Sequence, residues 1–155
     1  IVSLANKLTT DKLIAVDLSK DALEVAQINA DNYKLDLNCV QMDVLKDTLS
    51  EEIKSADIWV SNPPYIIEEE LERMDESVVR YEPDMALFVD SNDPLEFYKR
   101  LIRLFDEHAK EDCKLYFETS DLYKEQLEDF ISQYSLNYEF RRDLQENWRM
   151  LKIWK

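Results

Sequence analysis

Glycine is absent from this 155-residue chain. An average usage of about 7% would supply roughly 11 glycines in a chain of this length. Tight turns, left-handed helix ends and close approaches of the backbone to a ligand must therefore use other residues, because glycine adopts such conformations with little steric cost. We expect Asn, Asp, Ser or Lys at these positions.

Cysteine and histidine are scarce. Cys39 and Cys113 lie far apart within predicted strands, so the chain offers neither a disulfide framework nor the ligand spacing of a metal site. We predict two reduced, packed thiols, no metal and a cytoplasmic protein. The single His108 falls near the end of a predicted helix, where a cationic imidazole would complement the helix dipole.

Long apolar runs are also missing. No run approaches the roughly 18 residues that cross a bilayer, and no basic leader precedes an apolar stretch. We therefore expect no membrane segment. With 45% hydrophobic and 34% charged residues the chain can bury a core, and we predict one domain over residues 1–155. Its oligomeric state is left open by the sequence.

Basic residues are outnumbered by acidic ones, 19 Lys and Arg against 34 Asp and Glu, so the formal net charge is −15. Nucleic-acid binding draws much of its affinity from Lys and Arg side chains that neutralise phosphates, so we expect no nucleic-acid partner. Six residues could still form a local basic strip, namely Lys99, Arg100, Arg103, Arg141, Arg142 and Arg149.

Strand and helix patterns alternate along the chain, which predicts parallel strands covered by helices. Predicted strands cover residues 12–17, 37–42, 56–61 and 114–118, and an antiparallel pair at the sheet edge covers residues 137–142 and 149–154. Predicted helices cover residues 1–8, 21–33, 49–54, 94–109 and 122–134. Ser19 is the expected N-cap of the second helix, and Asp93-Pro94-Leu95-Glu96 resembles a capping box with proline at the first helical position.

The most specific motif is Asn62-Pro63-Pro64-Tyr65, which directly follows the apolar strand ADIWVS. Ligands of open α/β sheets bind beyond the carboxyl ends of strands. The two prolines lack N–H donors and restrict the backbone, so the loop presents carbonyl acceptors in a stiff frame. We predict that this loop binds a substrate.

The chemistry of this loop suits a planar amino or amide nitrogen. The side-chain oxygen of Asn62 and the carbonyl of Pro63 can accept both N–H hydrogens and orient the nitrogen for attack on a methyl sulfonium. Tyr65 supplies an aromatic wall that excludes water. The proton can leave after methyl transfer, so no general base is required.

Two carboxylates stand at the ends of other predicted strands. Asp17 follows KLIAV, and Asp43 follows CVQM. In nucleotide-binding sheets such residues hold ribose hydroxyls and accept from an adenine amino group, respectively. We therefore predict an adenosine site, which also includes the adjacent residues Leu18 and Val44 together with Asn62.

Five segments, IAVDLSKDALEVAQINA, VQMDVL, DIWVSNPPYI, RYEPDMALFV and DPLEFYKRLI, resemble the HemK-type glutamine-N5 methyltransferases in order and spacing. This resemblance extends over nearly the whole chain. It implies a Rossmann-like class I methyltransferase fold with S-adenosyl-L-methionine as cofactor. The implied substrate is a glutamine of a peptide-chain release factor.

The resemblance also implies roles for individual residues. It assigns Asp17 to the cofactor ribose, Asp43 to adenine, and Asn62, Pro63 and Tyr65 to the glutamine, with Pro64 in the same loop. Glu82 lies beyond the loop and is expected to shape its surroundings. The family's first strand and glycine-rich cofactor loop would precede Ile1, so we expect a sheet without its first strand and weakened cofactor binding.

Two alternatives stay open. The first alternative is an adenine-N6 methyltransferase that acts on nucleic acid, because the same loop motif serves exocyclic amino groups of adenine. A catalytically silent fragment that keeps the fold without turnover is the other. Binding of S-adenosylmethionine would separate the silent fragment from both enzymes.

We predict that the chain shows no measurable binding to duplex DNA or structured RNA at physiological salt, because few phosphates can be neutralised by a chain of net charge −15. A fluorescence titration measures this directly. Micromolar, salt-sensitive binding would instead favour the adenine alternative.

Overall fold

A computed structural model of the chain describes residues 2–5, 7, 12–64 and 93–155. They fall into two compact units, Ile1–Leu49 and Ser50–Lys155. The helices of the described residues are α1 (Val2–Ala5), α2 (Lys20–Asn32), α3 (Glu51–Lys54), α4 (Glu96–His108) and α5 (Lys124–Ile131). The strands are β1 (Leu13–Asp17), β2 (Leu37–Gln41), β3 (Ile58–Ser61), β4 (Lys114–Glu118), β5 (Asn137–Arg142) and β6 (Trp148–Trp154).

The first unit contains a parallel strand pair joined by a helix. Strands β1 and β2 run in register from Leu13 opposite Leu37 to Asp17 opposite Gln41. The connecting helix α2 begins after Ser19, whose hydroxyl accepts from the backbone N–H of Ala22 at 3.2 Å. The predicted strands, helix and N-cap of this unit are therefore confirmed.

Helix α2 ends in a left-handed turn formed without glycine. Lys34 has a φ of 56°, and its N–H donates to the carbonyl of Asp31 at 3.0 Å. The next N–H, that of Leu35, donates to the carbonyl of Ala30 at 3.0 Å. This pair of bonds is a Schellman motif, in which glycine normally occupies the left-handed position. A lysine takes that position here, as the absence of glycine predicts.

The second unit contains a four-stranded sheet in the order β3-β4-β6-β5. Strands β3 and β4 are parallel, whereas β6 is antiparallel to both β4 and β5. The α/β fold class with parallel strands and an antiparallel C-terminal pair is therefore confirmed, and β5 forms the edge as predicted.

Helix α4 supplies the core of this unit. Tyr98, Ile102 and Phe105 are fully buried. The Phe105 ring meets the indole of Trp59 on β3 edge to face, with centroids 5.7 Å apart. The Tyr98 ring meets Phe117 on β4 in the same way at 5.2 Å. Aromatic contacts of this kind add specific geometry to the burial of apolar area.

A β-bulge interrupts the pairing of β5 with β6. Arg141 lies opposite Met150 and Arg142 opposite Trp148, so Arg149 is the additional residue. The Arg149 guanidinium reaches Asp143 Oδ2 at 3.4 Å and the carbonyl of Thr119 at 3.5 Å. The bulge therefore directs this side chain toward the residue that follows β4.

Asp143 organises the turn between β5 and β6. Its Oδ1 accepts from the N–H groups of Gln145 at 2.9 Å and Asn147 at 3.0 Å. Burial alone would raise the pKa of Asp143, but these N–H groups and Arg149 lower it below its usual value. Glu146 in this turn has a φ of 68°, a second left-handed position without glycine.

The predicted capping box at Asp93 is wrong. Helix α4 begins at Glu96, with Leu95 as its N-cap and no side-chain cap bond. The Asp93 carboxylate accepts instead from the N–H of Leu95 at 3.0 Å and from Lys99 Nζ at 2.7 Å. The N–H of Glu96, which a capping box would bond to the Asp93 side chain, donates instead to the backbone carbonyl of Asp93 at 3.1 Å. Proline at position 94 therefore lies before the helix.

Other predictions differ mainly in their ends. The predicted helix over residues 122–134 is a 3₁₀ turn, Asp121–Tyr123, followed by α5, which ends at Ile131. Cys39 and Cys113 are free thiols as predicted. Cys113 is buried, which raises its pKa, whereas Cys39 is half-buried. His108 occupies the last turn of α4, as predicted.

We predict that Lys34→Gly raises the free energy of unfolding by about 1 kcal/mol, because it removes the Cβ clash of a left-handed residue. Urea denaturation measures the change. Lys34→Ala is the matched control, since it removes the charge and keeps the Cβ atom. Equal midpoints for the glycine and alanine variants would contradict a strained turn.

We predict that Asp143→Asn lowers the melting temperature at pH 7 and lowers it less near pH 3. A carboxyl whose folded pKa is depressed stabilises the fold above its unfolded pKa, ordinarily 3.8, and loses this contribution as the pH falls through the folded pKa. Thermal melts at both pH values test this.

The control for this melt is Asp36→Asn, at an exposed position before β2. It removes the same charge, which matters because relief of repulsion in a chain of net charge −15 can itself raise the melting temperature. An equal shift for both variants would attribute the effect to net charge.

Candidate functional site

Asp17 is the last residue of β1, and its side chain is exposed. Its Oδ1 accepts from the N–H of Ser19 at 2.8 Å, which fixes the carboxylate at the carboxyl end of the strand. The backbone carbonyl of Asp17 accepts from the N–H of Met42 at 3.0 Å. The chain leaving β2 is therefore bonded to the end of β1.

Leu18 follows Asp17 and is 48% exposed. Its carbonyl accepts from Gln41 Nε2 at 3.1 Å. This bond joins the residue after β1 to the last residue of β2. An apolar side chain of this size at a strand end can cover one face of a flat aromatic ligand.

Asp43 and Val44 are half-buried and follow β2. Lys46 donates to Asp43 Oδ2 at 2.8 Å, and the N–H of Leu45 donates to Oδ1 at 3.0 Å. The hydrogen bond from Lys46 lowers the pKa of Asp43, although burial opposes this. Asp43 is therefore an ionised acceptor at neutral pH.

Asn62, Pro63 and Pro64 follow β3 directly. Asn62 is exposed, Pro63 is buried and Pro64 is half-buried. Ser61 at the end of β3 lies opposite Phe117 in the parallel pairing with β4. The loop therefore begins level with the carboxyl end of β4, where Tyr98 donates a hydrogen bond to the carbonyl of Glu118 at 2.9 Å.

Thr119 follows β4 at this same edge, and no motif in the sequence marks it. Its backbone N–H donates to the carbonyl of Arg149 at 2.8 Å. Its side chain is fully buried, and its hydroxyl has no hydrogen-bond partner in the described part of the chain. A buried hydroxyl left in this state typically costs about 1–3 kcal/mol. No sequence signal distinguishes this threonine from one that packs in a core.

The structure thus brings the predicted residues together in two groups. Asp17, Leu18, Asp43 and Val44 lie at the carboxyl ends of β1 and β2 in the first unit. Asn62, Pro63 and Pro64 lie at the corresponding edge of the second unit. The predictions for Tyr65 and Glu82 fall outside the described residues.

Metal-ligand clusters and membrane-spanning helices are both absent from the described residues. Residues 12–64 and 93–155 contain no group of three or more His, Cys, Asp or Glu side chains that could hold a metal ion. Within the part of the chain that the structure describes, no helix is long and apolar enough to span a membrane.

Comparisons with known proteins connect this architecture to methyltransferases. Residues 2–80 match the model of the UPF0020 family, described as RMKL-like, methyltransferase domain. A release factor glutamine methyltransferase from Flavobacterium psychrophilum is 33% identical over 154 residues, which are 98% of this chain and 53% of that protein. The chain spans about half the length of the curated relatives that it matches.

Solved structures show the same fold. The ribosomal protein L11 methylase from Lactobacillus delbrueckii subsp. bulgaricus superposes with a TM-score of 0.63 at 20% identity, over 96% of this chain and 60% of that chain. The N-methyltransferase NodS from Bradyrhizobium japonicum, in complex with S-adenosyl-L-homocysteine, gives a TM-score of 0.51 at 13% identity, over 92% and 64%.

These likenesses confirm the predicted Rossmann-like class I methyltransferase fold. Since the matching family model covers about half of the residues, the chain belongs to the UPF0020 family of RMKL-like methyltransferase domains.

Proposed function

We propose that this chain is the methyltransferase domain of an enzyme that methylates the side-chain amide nitrogen of a glutamine in a peptide-chain release factor. The observation that carries the proposal is the Asn62-Pro63-Pro64 loop, which leaves β3 at the carboxyl edge of a parallel strand pair and exposes Asn62. Relatives at 33–44% identity that bear the name release factor glutamine methyltransferase support this substrate.

The proposed cofactor is S-adenosyl-L-methionine, which supplies an electrophilic methyl group when bound. The paired strand ends of the first unit suit its adenosine part. The exposed Asp17 carboxylate would accept from ribose hydroxyls, and the ionised Asp43 from the adenine amino group. Leu18 would cover the adenine face, and the backbone at Val44 would border its edge. NodS, an N-methyltransferase of the same fold, was solved in complex with S-adenosyl-L-homocysteine, which supports the proposed cofactor.

The residues after β3 would prepare the substrate amide. Asn62 and the carbonyl of Pro63 would accept the two N–H hydrogens and hold the nitrogen lone pair toward the methyl group. The bound cofactor would supply the methyl group to this nitrogen, which would then release one proton to solvent. We propose that Asn62 also touches the cofactor, that Tyr65 walls the amide from water, and that Glu82 shapes the surroundings.

The proposal extends to the organisation of the protein. Residues 1–155 would act as one catalytic domain in the cytoplasm, with the release factor as protein partner and no nucleic acid as substrate. Relatives named after release factors do not favour the adenine alternative. The net charge of −15, which opposes binding to phosphates, is consistent with this choice.

We predict that Asn62→Ala reduces glutamine methylation about a hundredfold and leaves the fold intact. Loss of one of two paired acceptors costs on the order of 3 kcal/mol in transition-state stabilisation, whereas the exposed position contributes little to the core. Methyl transfer to a purified release factor measures the rate, and circular dichroism checks the fold.

Asn29→Ala on the exposed surface of α2 is the matched control, since it removes the same amide away from any strand end. The control should keep the parent rate. A rate for Asn62→Ala within twofold of the parent would sink the role assigned to Asn62. A parent that neither binds the cofactor nor methylates the release factor would instead leave the silent-fragment alternative.

A further inference from the structure

The turn between β5 and β6 lies at the same edge of the second unit as the Asn62 loop. Glu118 at the end of β4 pairs with Met150 near the start of β6. Because β6 is antiparallel to β4, the turn before Trp148 lies beyond the carboxyl end of β4. The parallel pairing of β3 with β4 brings the beginning of the Asn62 loop to that edge as well.

This turn presents a leucine to solvent on a rigid frame. Leu144 is 97% exposed. The residues around it are held by the two N–H bonds to Asp143 Oδ1 and by the bond from the N–H of Asp143 to the carbonyl of Asn147 at 2.9 Å. These bonds fix the backbone of the turn on either side of the exposed Leu144.

A second exposed leucine lies in the 3₁₀ turn after β4. Leu122 is 71% exposed. Its neighbour Asp121 accepts from the backbone N–H of Trp148 at 2.8 Å through Oδ1, so this 3₁₀ turn is bonded to the start of β6. Leu122 and Leu144 are the most exposed large hydrophobic residues in the described part of the chain, and both belong to this edge.

Two cationic side chains lie over the Trp148 ring, and each is two residues from one of the leucines in the sequence. The Arg142 guanidinium lies 4.4 Å from the Trp148 ring centre, and Lys124 Nζ lies 5.1 Å from it. Arg142 also pairs with the exposed Glu146 at 3.5 Å and keeps 47% of its side chain in solvent. A cation over an aromatic face is held in place without losing its charge. An exposed cation is notable here because the chain as a whole repels acidic partners.

We propose that Leu122, Leu144 and Arg142 form a docking surface for the protein that carries the target glutamine. The partner would place apolar side chains against the leucines and a carboxylate on Arg142 in exchange for its exposed pair with Glu146. The shared edge with Asn62 favours the substrate protein over other occupants, because a protein whose glutamine enters the loop extends over the adjoining surface. This inference rests on the proposed function and adds a specificity surface outside the reacting groups.

The test compares the parent with the double variant Leu122→Ala/Leu144→Ala on two substrates. One is a full-length release factor, and the other is a short peptide with the target glutamine and its immediate neighbours. We expect KM for the protein to rise about tenfold, as for loss of central apolar interface contacts. KM for the peptide and kcat for both substrates should stay unchanged. Ile58→Ala, 42% exposed at the amino end of β3, is the matched control.

Binding of the labelled release factor is measured in parallel by fluorescence anisotropy. The docking surface would be overturned if the double variant kept the KM and affinity of the parent, or if its KM changed equally for protein and peptide. In either case, methylation by the parent would still support the proposed function. A parent that binds through the leucines without methylating would overturn the function and keep the surface. The docking surface would also be overturned if the parent did not bind the release factor. A change from dimer to monomer in the double variant, measured by sedimentation, would overturn it as well.

Discussion

The burial of helix α4 against the four-stranded sheet is the constraint on which the edge that carries the Asn62 loop depends. Tyr98 is fully buried by this packing, and its ring meets Phe117. Its hydroxyl nevertheless reaches the carbonyl of Glu118 at the last position of β4. One side chain thus links the apolar core to the strand end, and β4 aligns β3 where Asn62 begins. Core packing thus helps to position the edge from which the Asn62 loop begins.

The sequence predicts the strands well because β1, β3 and β4 contain short apolar runs between polar breaks. Parallel pairing then places their carboxyl ends at common edges, so Asp17 and Asp43 could be assigned to one edge of the first unit from the sequence alone. Ser19 marked the start of α2 because its hydroxyl satisfies a free N–H group of the first turn. Local interactions of this kind can be predicted from the sequence.

Interactions that depend on the folded arrangement of the chain could not be predicted from the sequence. The bulge that directs Arg149 toward Thr119 depends on the pairing of two strands, and no residue type specifies it. The sequence from Asp93 to Glu96 has the residue types of a capping box, but in the folded chain the N–H of Glu96 donates to the Asp93 carbonyl and Lys99 pairs with the Asp93 side chain. The roles of Asn62, Asp17 and Asp43 stay predictions, as do those of Tyr65 and Glu82, which lie outside the described residues.

The absence of glycine has a consequence beyond the two strained turns at Lys34 and Glu146. Every residue of this chain carries at least a Cβ atom, which removes backbone conformations that glycine would sample in the unfolded state. The unfolded chain is therefore stiffer than one of ordinary composition, and it loses less conformational entropy when it folds. The smaller entropy of the unfolded chain offsets the local strain in the native turns. Part of this protein's stability therefore comes from restriction of the unfolded state.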